Sequence, residues 1–461
     1  MTGFAIAIVI VFMIGYALIA LESVTKVNKA AVALLMCVVV WSLFSIGSTT
    51  GGILPGTLFG QGGAADVSEI GAVLQEYLGE AGTTLFFLMG AMTIVEIVDQ
   101  HGGLNFVSDV IMTRHKRKLL WRVAFMTAII SAVLDNLTTS IVMVMILRKL
   151  VPDIKDRIWY DVSVIIAANS GGAFSPIGDV TTIMLWNGQC ISAIGVITQI
   201  IVPSFVSFII PTAFFQKHLS GTFELDTTKE ERKACRPCVV TRRQRALIFI
   251  IGVGGLVSVP VFNVLTDLPP FLGILLVLGI LWIVTEVIYR NTDENDAMSK
   301  RVTQLLSRID MTTILFFLGI LMSVSALGRI NALSSVGVWL DGVTADLGVM
   351  QHYVVTSLIG VLSAIVDNVP LVAASMGMYD INPAIADFAQ DGVFWQLLAY
   401  CAGVGGSMLI IGSAAGVVVM GLENISFGWY MKNVTVKAFL GYVAGILCYY
   451  LIHGLLVPAL I

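Results

Sequence analysis

Residues 131–138 have the sequence SAVLDNLT, and residues 363–370 have the closely similar sequence SAIVDNVP. Each copy places an Asp-Asn pair, Asp135-Asn136 or Asp367-Asn368, inside apolar sequence long enough to enter a membrane. A carboxylate at that depth costs about 2.5–3.5 kcal/mol on insertion scales, so such residues are usually functional. Two of them in an internal repeat are typical of a transporter whose ion site lies between two halves.

The composition predicts a polytopic, all-α membrane protein in a lipid bilayer. The 461-residue chain is 57% hydrophobic and 12% charged, with a mean hydropathy of +0.92. Soluble domains carry about 25% charged residues. The net charge of −4 and the lack of a basic arm give no indication of nucleic-acid binding. Full spans are predicted at 3–22, 30–48, 82–100, 158–187, 190–215, 246–264, 271–289, 311–328, 393–421 and 434–455. The amphipathic segments 65–80 and 330–346 are predicted to lie along the membrane interface.

Two further apolar segments, 119–150 and 351–379, are each about 30 residues long and are interrupted at the Asp-Asn pair. Two full crossings need about 40 residues, so we predict a re-entrant helical hairpin for each segment, with the Asp-Asn pair at its tip. Basic residues flank the first segment and acidic residues flank the second. The positive-inside rule therefore places the ends of the first hairpin, and the loop with Lys26 and Lys29, in the cytoplasm. It places the ends of the second hairpin and both chain termini outside.

The repeat extends beyond the hairpins. Residues 83–90 (TTLFFLMG) match residues 312–319 (TTILFFLG), and Gly171-Gly172 matches Gly405-Gly406, with offsets of 229 and 234 positions. Each unit contains an odd number of full spans, so the two copies must have opposite orientations. We predict an inverted-topology repeat with two re-entrant hairpins and two broken transmembrane helices. The units are residues 1–215 (hairpin 119–150, broken span 158–187), a cytoplasmic linker at 216–245, and residues 246–461 (hairpin 351–379, broken span 393–421).

The broken spans add polar groups to those of the tips. Residues 169–182 (NSGGAFSPIGDVTT) and 403–413 (GVGGSMLIIGS) contain glycines and a proline, which disfavour helix. Unwound backbone at membrane depth must be buried or line a cavity, and it frees carbonyl oxygens for hard cations. The candidate ion-binding residues are Asp135, Asn136, Thr138, Asn169, Ser175, Asp179, Thr181, Thr182, Asp367, Asn368, Ser407 and Ser413. We expect Na⁺ at Asp135, Asn136, Asp367 and Asn368.

The charge pattern of these segments favours a cation as substrate, because no Lys, Arg or His lies within the tips or breaks. Burial favours the protonated form of a carboxylate, whereas a bound cation favours the charged form. A proton and Na⁺ can therefore displace each other at the same Asp residues, and exchange follows if only loaded forms cross. Alternatively, each Asp could cap the second helix of its hairpin, a role that is compatible with ion binding.

These motifs resemble the NhaD-type sodium/proton antiporters of the ion transporter superfamily over residues 28–455. The resemblance implies electrogenic export of Na⁺ or Li⁺ in exchange for protons, with a role in pH homeostasis under alkaline conditions. It also implies a homodimer in a bacterial inner membrane that works by an elevator mechanism. The family's functional positions correspond to Ser131, Asp135, Asn136, Asn169, Asp179, Thr181, Thr182, Ser363, Asp367, Asn368, Ser407 and Ser413. Ser413 replaces Asp179 in the second copy, so the half-sites are unequal.

Other functions remain open at this stage. The related dicarboxylate carriers have Ser-Asn-Thr at the tips, and Asp replaces that Ser here. A sodium-coupled symporter of an organic acid or oxyanion, or an arsenite-type exporter, would be favoured by a neutral or cationic pocket near the tips. We expect no enzyme and no cofactor, because the chain lacks a nucleophile–base pair and a metal-ligand cluster. Cys235 and Cys238 are interpreted as unpaired loop thiols. Glu96 and Asp99 are either solvated residues at the end of a span or part of an ion-access or pH-sensing route.

Overall fold

A computed structural model describes residues 3–20, 22–50, 67–103, 107, 110–223, 241–290 and 301–456. Cys235, Cys238 and most of the linker at 216–245 lie outside these ranges. The described residues form helices and no β-strand; their only β-type pairing is an isolated bridge between His115 and Thr222. The chain is therefore helical, as its composition predicts.

The α-helices are α1 (Gly3–Ala20), α2 (Glu22–Thr25), α3 (Lys29–Thr49), α4 (Val67–Gln100), α5 (Lys116–Leu134), α6 (Asn136–Leu150), α7 (Ile154–Ala173), α8 (Val180–Asn187), α9 (Ala193–Phe215), α10 (Arg242–Thr266), α11 (Pro270–Tyr289), α12 (Val302–Leu305), α13 (Met311–Arg329), α14 (Ala332–Thr344), α15 (Gln351–Ser363), α16 (Asn368–Met378), α17 (Val393–Gly405), α18 (Ala414–Glu423), α19 (Phe427–Asn433) and α20 (Thr435–Tyr449). Short 3₁₀ helices occur at Gln216–His218, Leu306–Arg308, Ala345–Met350 and Ala386–Phe388, and a π-helix at Tyr450–Leu456.

In the described part of the chain, seven helices are long and apolar enough to cross a membrane. They are Lys29–Thr49, Glu69–Gln100, Ala193–His218, Arg243–Thr266, Pro270–Tyr289, Met311–Arg329 and Thr435–Gly454. Each coincides with a predicted span. Helix α1 covers residues 3–20 of the predicted span 3–22, and its 18 residues extend about 27 Å, slightly less than a bilayer core of about 30 Å. The prediction of a polytopic helical membrane protein is confirmed.

The start of the third span differs from the prediction. Residues 67–80 of the predicted segment 65–80 do not form a separate interfacial helix, because Val67–Gln100 is one continuous helix of 34 residues. The segment contains no proline, and glycines such as Gly79 and Gly82 weaken a helix by about 1 kcal/mol each without ending it. At about 1.5 Å per residue, α4 extends well beyond the hydrocarbon thickness. The second amphipathic segment, 330–346, does contain a separate helix, α14.

All four predicted interruptions are present in the structure. Asp135 separates α5 from α6, and residues 364–367 separate α15 from α16. Residues 174–179 separate α7 from α8, and residues 406–413 separate α17 from α18. The two helices on either side of each Asp-Asn pair contact each other.

Close backbone contacts recur at matching positions of the two halves. A Cβ atom added to Gly171 would lie 2.7 Å from the Cα of Ala128, and one added to Gly405 would lie 2.8 Å from the carbonyl carbon of Gly360. In both halves, therefore, a glycine of the broken helix lets the first helix of the hairpin approach to backbone contact. Likewise, a Cβ on Gly178 would lie 2.8 Å from the carbonyl oxygen of Ser131. The sequence repeat is thus accompanied by a repeat of tertiary contacts.

Polar contacts hold neighbouring segments together at the two ends of the broken helices. At one end, Arg148 and Arg157 both pair with Glu423, the last residue of α18, at 2.6 and 2.8 Å. At the other end, the carboxylate of Asp391 accepts a hydrogen bond of 2.7 Å from the backbone N–H of Ser192. Basic side chains of α6 and α7 therefore meet the end of α18, and Asp391, just before α17, contacts the start of α9.

Candidate ion-binding site

Asp135 forms the first hairpin tip in an unusual backbone conformation, with φ 82° and ψ 157°. This region is nearly restricted to glycine, and another residue in it carries about 1–3 kcal/mol of strain. The Asp135 carboxylate accepts hydrogen bonds from the N–H of Thr138 at 2.7 Å and from its hydroxyl at 2.9 Å. Asp135 therefore caps α6, so the capping role holds for this copy.

The strain at Asp135 can be measured with a pair of substitutions. We expect Asp135→Gly to be more stable than Asp135→Ala by about 1–2 kcal/mol, after allowing for the greater unfolded-state entropy of glycine. Both variants lose the capping carboxylate, but only glycine adopts this φ without strain. Thermal unfolding of the two purified variants in detergent tests the difference, and equal midpoints would show that the backbone is relaxed.

Asp367 occupies the equivalent position but has different partners. Its backbone is relaxed, with φ −49° and ψ 136°, and its side chain makes no capping hydrogen bond to α16. The residue three positions later is Pro370, where the first copy has Thr138, and proline has neither an N–H nor a hydroxyl. The Asp367 carboxylate instead pairs with the ammonium group of Lys29, at 2.7 Å. Capping therefore does not explain this second Asp.

Lys29 places a cationic side chain beside the second tip, although no Lys, Arg or His lies within the sequences of the tips or breaks. Its Nζ lies 4.5 Å from the centre of the Phe316 ring, and its backbone N–H donates a hydrogen bond of 3.1 Å to Glu22. Lys29 begins α3, and its sequence neighbours indicate only a basic loop. No local pattern could have connected it with Asp367, which is 338 positions away.

Among the described residues, hydrogen bonds between buried side chains connect the two halves of the chain. The side-chain oxygen of Asn169 accepts a hydrogen bond of 3.1 Å from Asn136, and its amide donates one of 2.9 Å to Ser413. The carboxylate of Asp179 accepts a hydrogen bond of 3.0 Å from Asn368. All five residues are at most 7% exposed. The first broken span therefore contacts its own hairpin tip, the other tip and the other broken span.

Asp179 and Ser413 occupy matching backbone positions at the start of α8 and α18. Their dihedrals are φ −144°, ψ 148° and φ −143°, ψ 152°. Asp179 accepts a hydrogen bond of 3.4 Å from the N–H of Thr181, and Ser413 accepts one of 3.2 Å from the N–H of Gly416. Equivalent geometry thus presents a carboxylate in one half and a hydroxyl in the other.

Two serines anchor the hairpins to the broken helices. The hydroxyl of Ser131 donates a hydrogen bond of 2.6 Å to the carbonyl oxygen of Ala168, and that of Ser363 donates one of 2.8 Å to the carbonyl oxygen of Ala402. Both serines are fully buried. These equivalent bonds hold each tip against the helix break beside it.

The remaining predicted residues lie near the breaks but bond to the backbone. Ser175 donates a hydrogen bond to the carbonyl oxygen of Ala132, and Thr182 donates one of 2.8 Å to that of Asp179. The hydroxyl of Ser407 donates a hydrogen bond of 2.6 Å to the carbonyl oxygen of Val404 in the same chain turn. The hydroxyl of Ser407 therefore donates its hydrogen bond within its own helix break.

The chain matches a family of transporters. The profile of the family CitMHS, described as citrate transporter, covers residues 16–391. The chain belongs to this family.

The chain is also 46% identical to "Sodium/proton antiporter 1" of Arabidopsis thaliana over 98% of this chain and 73% of that protein. "Sodium/proton antiporter 2" of the same plant is 42% identical over 96% and 99% of the two chains. The "Na(+)/H(+) antiporter NhaD" of Alkalimonas amylolytica is 29% identical over 95% and 88%. The resemblance to NhaD-type antiporters is thereby confirmed.

Two solved transporter structures share the fold of this CitMHS chain. The YdaH transporter of Alcanivorax borkumensis superposes with a TM-score of 0.58 and 13% identity, over 93% of this chain and 99% of that one. MtrF of Neisseria gonorrhoeae, described as illuminating a class of antimetabolite efflux pumps, gives a TM-score of 0.52 and 12% identity, over 91% of this chain and 94% of that one. At these identities the similarity concerns the fold alone.

In this CitMHS chain, a cavity of about 500 Å³ extends from the protein surface to the second tip. Exposed residues at its outer part include Lys26 and Asp310, and its inner part reaches Asp367 and Ser413. The Lys29–Asp367 pair lines this cavity. The cavity therefore connects the half-site that contains Asp367 with charged residues at the protein surface.

Three further acidic residues lie outside this network. Glu96 lies 3.7 Å from Arg308 near the end of α4, and Asp99 follows one turn later. An ion-access or pH-sensing role for these two stays a prediction. Asp161 in α7 was missed, although it is completely buried and neither of its carboxylate oxygens has a hydrogen-bond partner among the described residues. Its position inside the predicted span 158–187 was the available signal.

Proposed function

We propose that this protein exchanges Na⁺ or Li⁺ for H⁺ across a membrane, with Asp135, Asp179 and Asp367 as the groups that bind cation or proton. The observation that carries the proposal is the buried network between the two halves, which consists of carboxylate, amide and hydroxyl groups. Oxygen donors are the ligands that hard cations prefer. The relatives named as sodium/proton antiporters support the same substrate.

The exchange follows from competition at the carboxylates. A bound alkali cation needs oxygen ligands to replace its water shell, and Asp135, Asn136 and the backbone of the breaks can supply them. When the cation leaves, a buried carboxylate is stabilised by taking up a proton. If the site switches from one side of the membrane to the other only when a cation or a proton is bound, cations cross in one direction and protons cross in the opposite direction. No cofactor is required.

The proposal also includes the repeat architecture of the chain, its assembly and its orientation in the membrane. Residues 1–215 and 246–461 form the two copies of an inverted repeat, the linker at 216–245 is cytoplasmic, and the hairpins are re-entrant. The recurring glycine and serine contacts support the repeat. The protein works as a homodimer with an elevator motion, and both termini lie outside. A bacterial inner membrane stays a prediction, since the relatives include plant and bacterial proteins.

The second candidate function is sodium-coupled symport of an organic acid. The family description and the presence of Lys29 beside a tip favour it. However, the charge of Lys29 is already paired with Asp367 at 2.7 Å, and the site contains further carboxylates. A citrate anion would meet net repulsion there, so the cation exchanger is the better match to the geometry.

The two functions can be separated in everted membrane vesicles that carry this protein and a pH-sensitive dye. After a proton gradient has formed, NaCl or LiCl should collapse it in the absence of any organic acid, whereas KCl at the same concentration should have little effect. Vesicles without the protein are the control. A gradient that collapses only when citrate is present together with Na⁺ would overturn the antiporter and support the symporter.

A further inference from the structure

The ion pair between Lys29 and Asp367 has features that distinguish it from an ordinary structural salt bridge. The side chains are 25% and 16% exposed, and both line the cavity that reaches the second tip. The Asp367 carboxylate makes no capping bond to its own helix, because Pro370 removes the donor. The ammonium is therefore the partner of a carboxylate that would otherwise be open to ions from the cavity.

We propose that the Lys29 ammonium is a tethered competitor that takes the place of the transported cation at Asp367. This inference rests on the proposed exchange function. Both Lys29 and Na⁺ carry one positive charge, and a carboxylate neutralised by one attracts the other only weakly. Lys29 must therefore withdraw before Asp367 can bind a cation. It acts as a positioning residue that sets the Na⁺ concentration at which the second half-site fills.

The surroundings of Lys29 provide for its withdrawal. Glu22, Lys26 and Asp310 line the same cavity, and Glu22 already accepts a hydrogen bond from the Lys29 backbone. A displaced ammonium thus has two other carboxylates within the cavity, while Phe316 contacts its present position. When Na⁺ leaves and no proton takes its place, the return of Lys29 prevents Asp367 from remaining as an unpaired charge, which is unfavourable in a partly buried site.

Among the described residues, the competitor exists in one half only. Asp135 bonds to Thr138 of its own hairpin. The helix that corresponds to α3 in the repeat is α11, which begins with Pro270 in place of a lysine. The two half-sites therefore differ in a second respect besides Asp179 and Ser413. We expect the first half-site to bind a cation directly and the second only after Lys29 has been displaced.

Lys29→Gln tests the competition. If Lys29 leaves Asp367 free for only about a fifth of the time, the apparent Na⁺ affinity is lowered by that fraction, so the Na⁺ concentration for half-maximal effect should fall about fivefold or more when Lys29 is removed. The readouts are dye recovery in everted vesicles and Na⁺-dependent thermal stabilisation of the purified protein. Lys26→Gln is the matched control: it removes an exposed lysine from the same cavity and should leave the Na⁺ dependence unchanged. An unchanged or higher Na⁺ requirement in Lys29→Gln would reduce the pair to a structural role.

Lys29→Arg keeps the positive charge and tests the same competition, because here the Na⁺ requirement should change in the opposite direction. A guanidinium holds a carboxylate with two parallel hydrogen bonds and competes more strongly, so the Na⁺ requirement should rise. This variant decides the matter even if Lys29→Gln does not fold, because a Na⁺ requirement at or below that of the wild type would contradict the proposal. A wild-type protein that shows neither Na⁺/H⁺ exchange nor stabilisation by Na⁺ would instead refute the proposed function. If the wild type exchanges Na⁺ for H⁺ and the Lys29 variants have the same Na⁺ requirement as the wild type, only the proposed competition would be refuted.

Discussion

Asp135→Asn should abolish Na⁺-dependent proton movement. Removing a unit charge about 4 Å from a bound monovalent cation loses about 4 kcal/mol at an effective dielectric constant of 20, so binding should weaken by roughly 10³-fold. Asparagine also cannot carry the proton in exchange. It is nevertheless as good a helix cap as aspartate, so the N–H of Thr138 keeps its acceptor and the hairpin should fold normally.

The measurement is the initial rate of dye recovery after NaCl addition, combined with thermal unfolding of the purified variant. Asp153→Asn is the matched control, because Asp153 is an exposed N-cap of α7 that accepts a hydrogen bond from the N–H of Lys155 at 3.0 Å. It should leave transport unchanged. Asp367→Asn should lose exchange as Asp135→Asn does. Wild-type rates in both tip variants would mean that the tip carboxylates do not bind the transported ions.

Much of the helical framework could be predicted because its signals are local. A long apolar run identifies a span regardless of its neighbours, as the match of seven predicted spans shows. Breaks are also local, because Pro176 and the glycines around it disfavour helix wherever they occur. The recurrence of Asp-Asn at residues 135–136 and 367–368 indicated which breaks belong together. Such signals identify the residues of the candidate site, although they do not reveal which side chains contact one another.

The partners within the site could not be predicted, since they depend on tertiary contacts between distant segments. Asn169 and Ser413 are 244 positions apart, and Lys29 and Asp367 are 338 apart. The positive-inside rule even predicted that Lys29 and the ends of the hairpin with Asp367 lie on opposite sides of the membrane. It assigned Lys29 to a cytoplasmic loop and the ends of the second hairpin to the outside, without considering how deep a hairpin tip reaches. The strained φ of Asp135 likewise has no sequence signal, because a glycine would have been expected there.

Gly171→Ala and Gly405→Ala should each destabilise the protein severely. An added Cβ would lie 2.7 Å from the Cα of Ala128 in the first case and 2.8 Å from the carbonyl carbon of Gly360 in the second. Overpacking usually costs about 1–3 kcal/mol, and these values should lie at or above the upper end, because backbone atoms cannot rotate away as side chains can. Relief would require moving a hairpin away from its broken helix, which would also separate Ser131 from Ala168.

The unfolding midpoint and the yield of detergent-extracted protein provide the measurement. Gly254→Ala is the matched control, because Gly254 lies within α10 and an added Cβ there meets nothing within 4 Å. That substitution should be neutral or stabilising by up to about 1 kcal/mol, as expected for alanine in a helix. If Gly171→Ala were as stable as Gly254→Ala, the hairpin could not lie against the break as the structure has it. Equal losses in the Gly171 and Gly405 variants would instead mean that both halves depend on the same backbone contact, as an internal repeat requires.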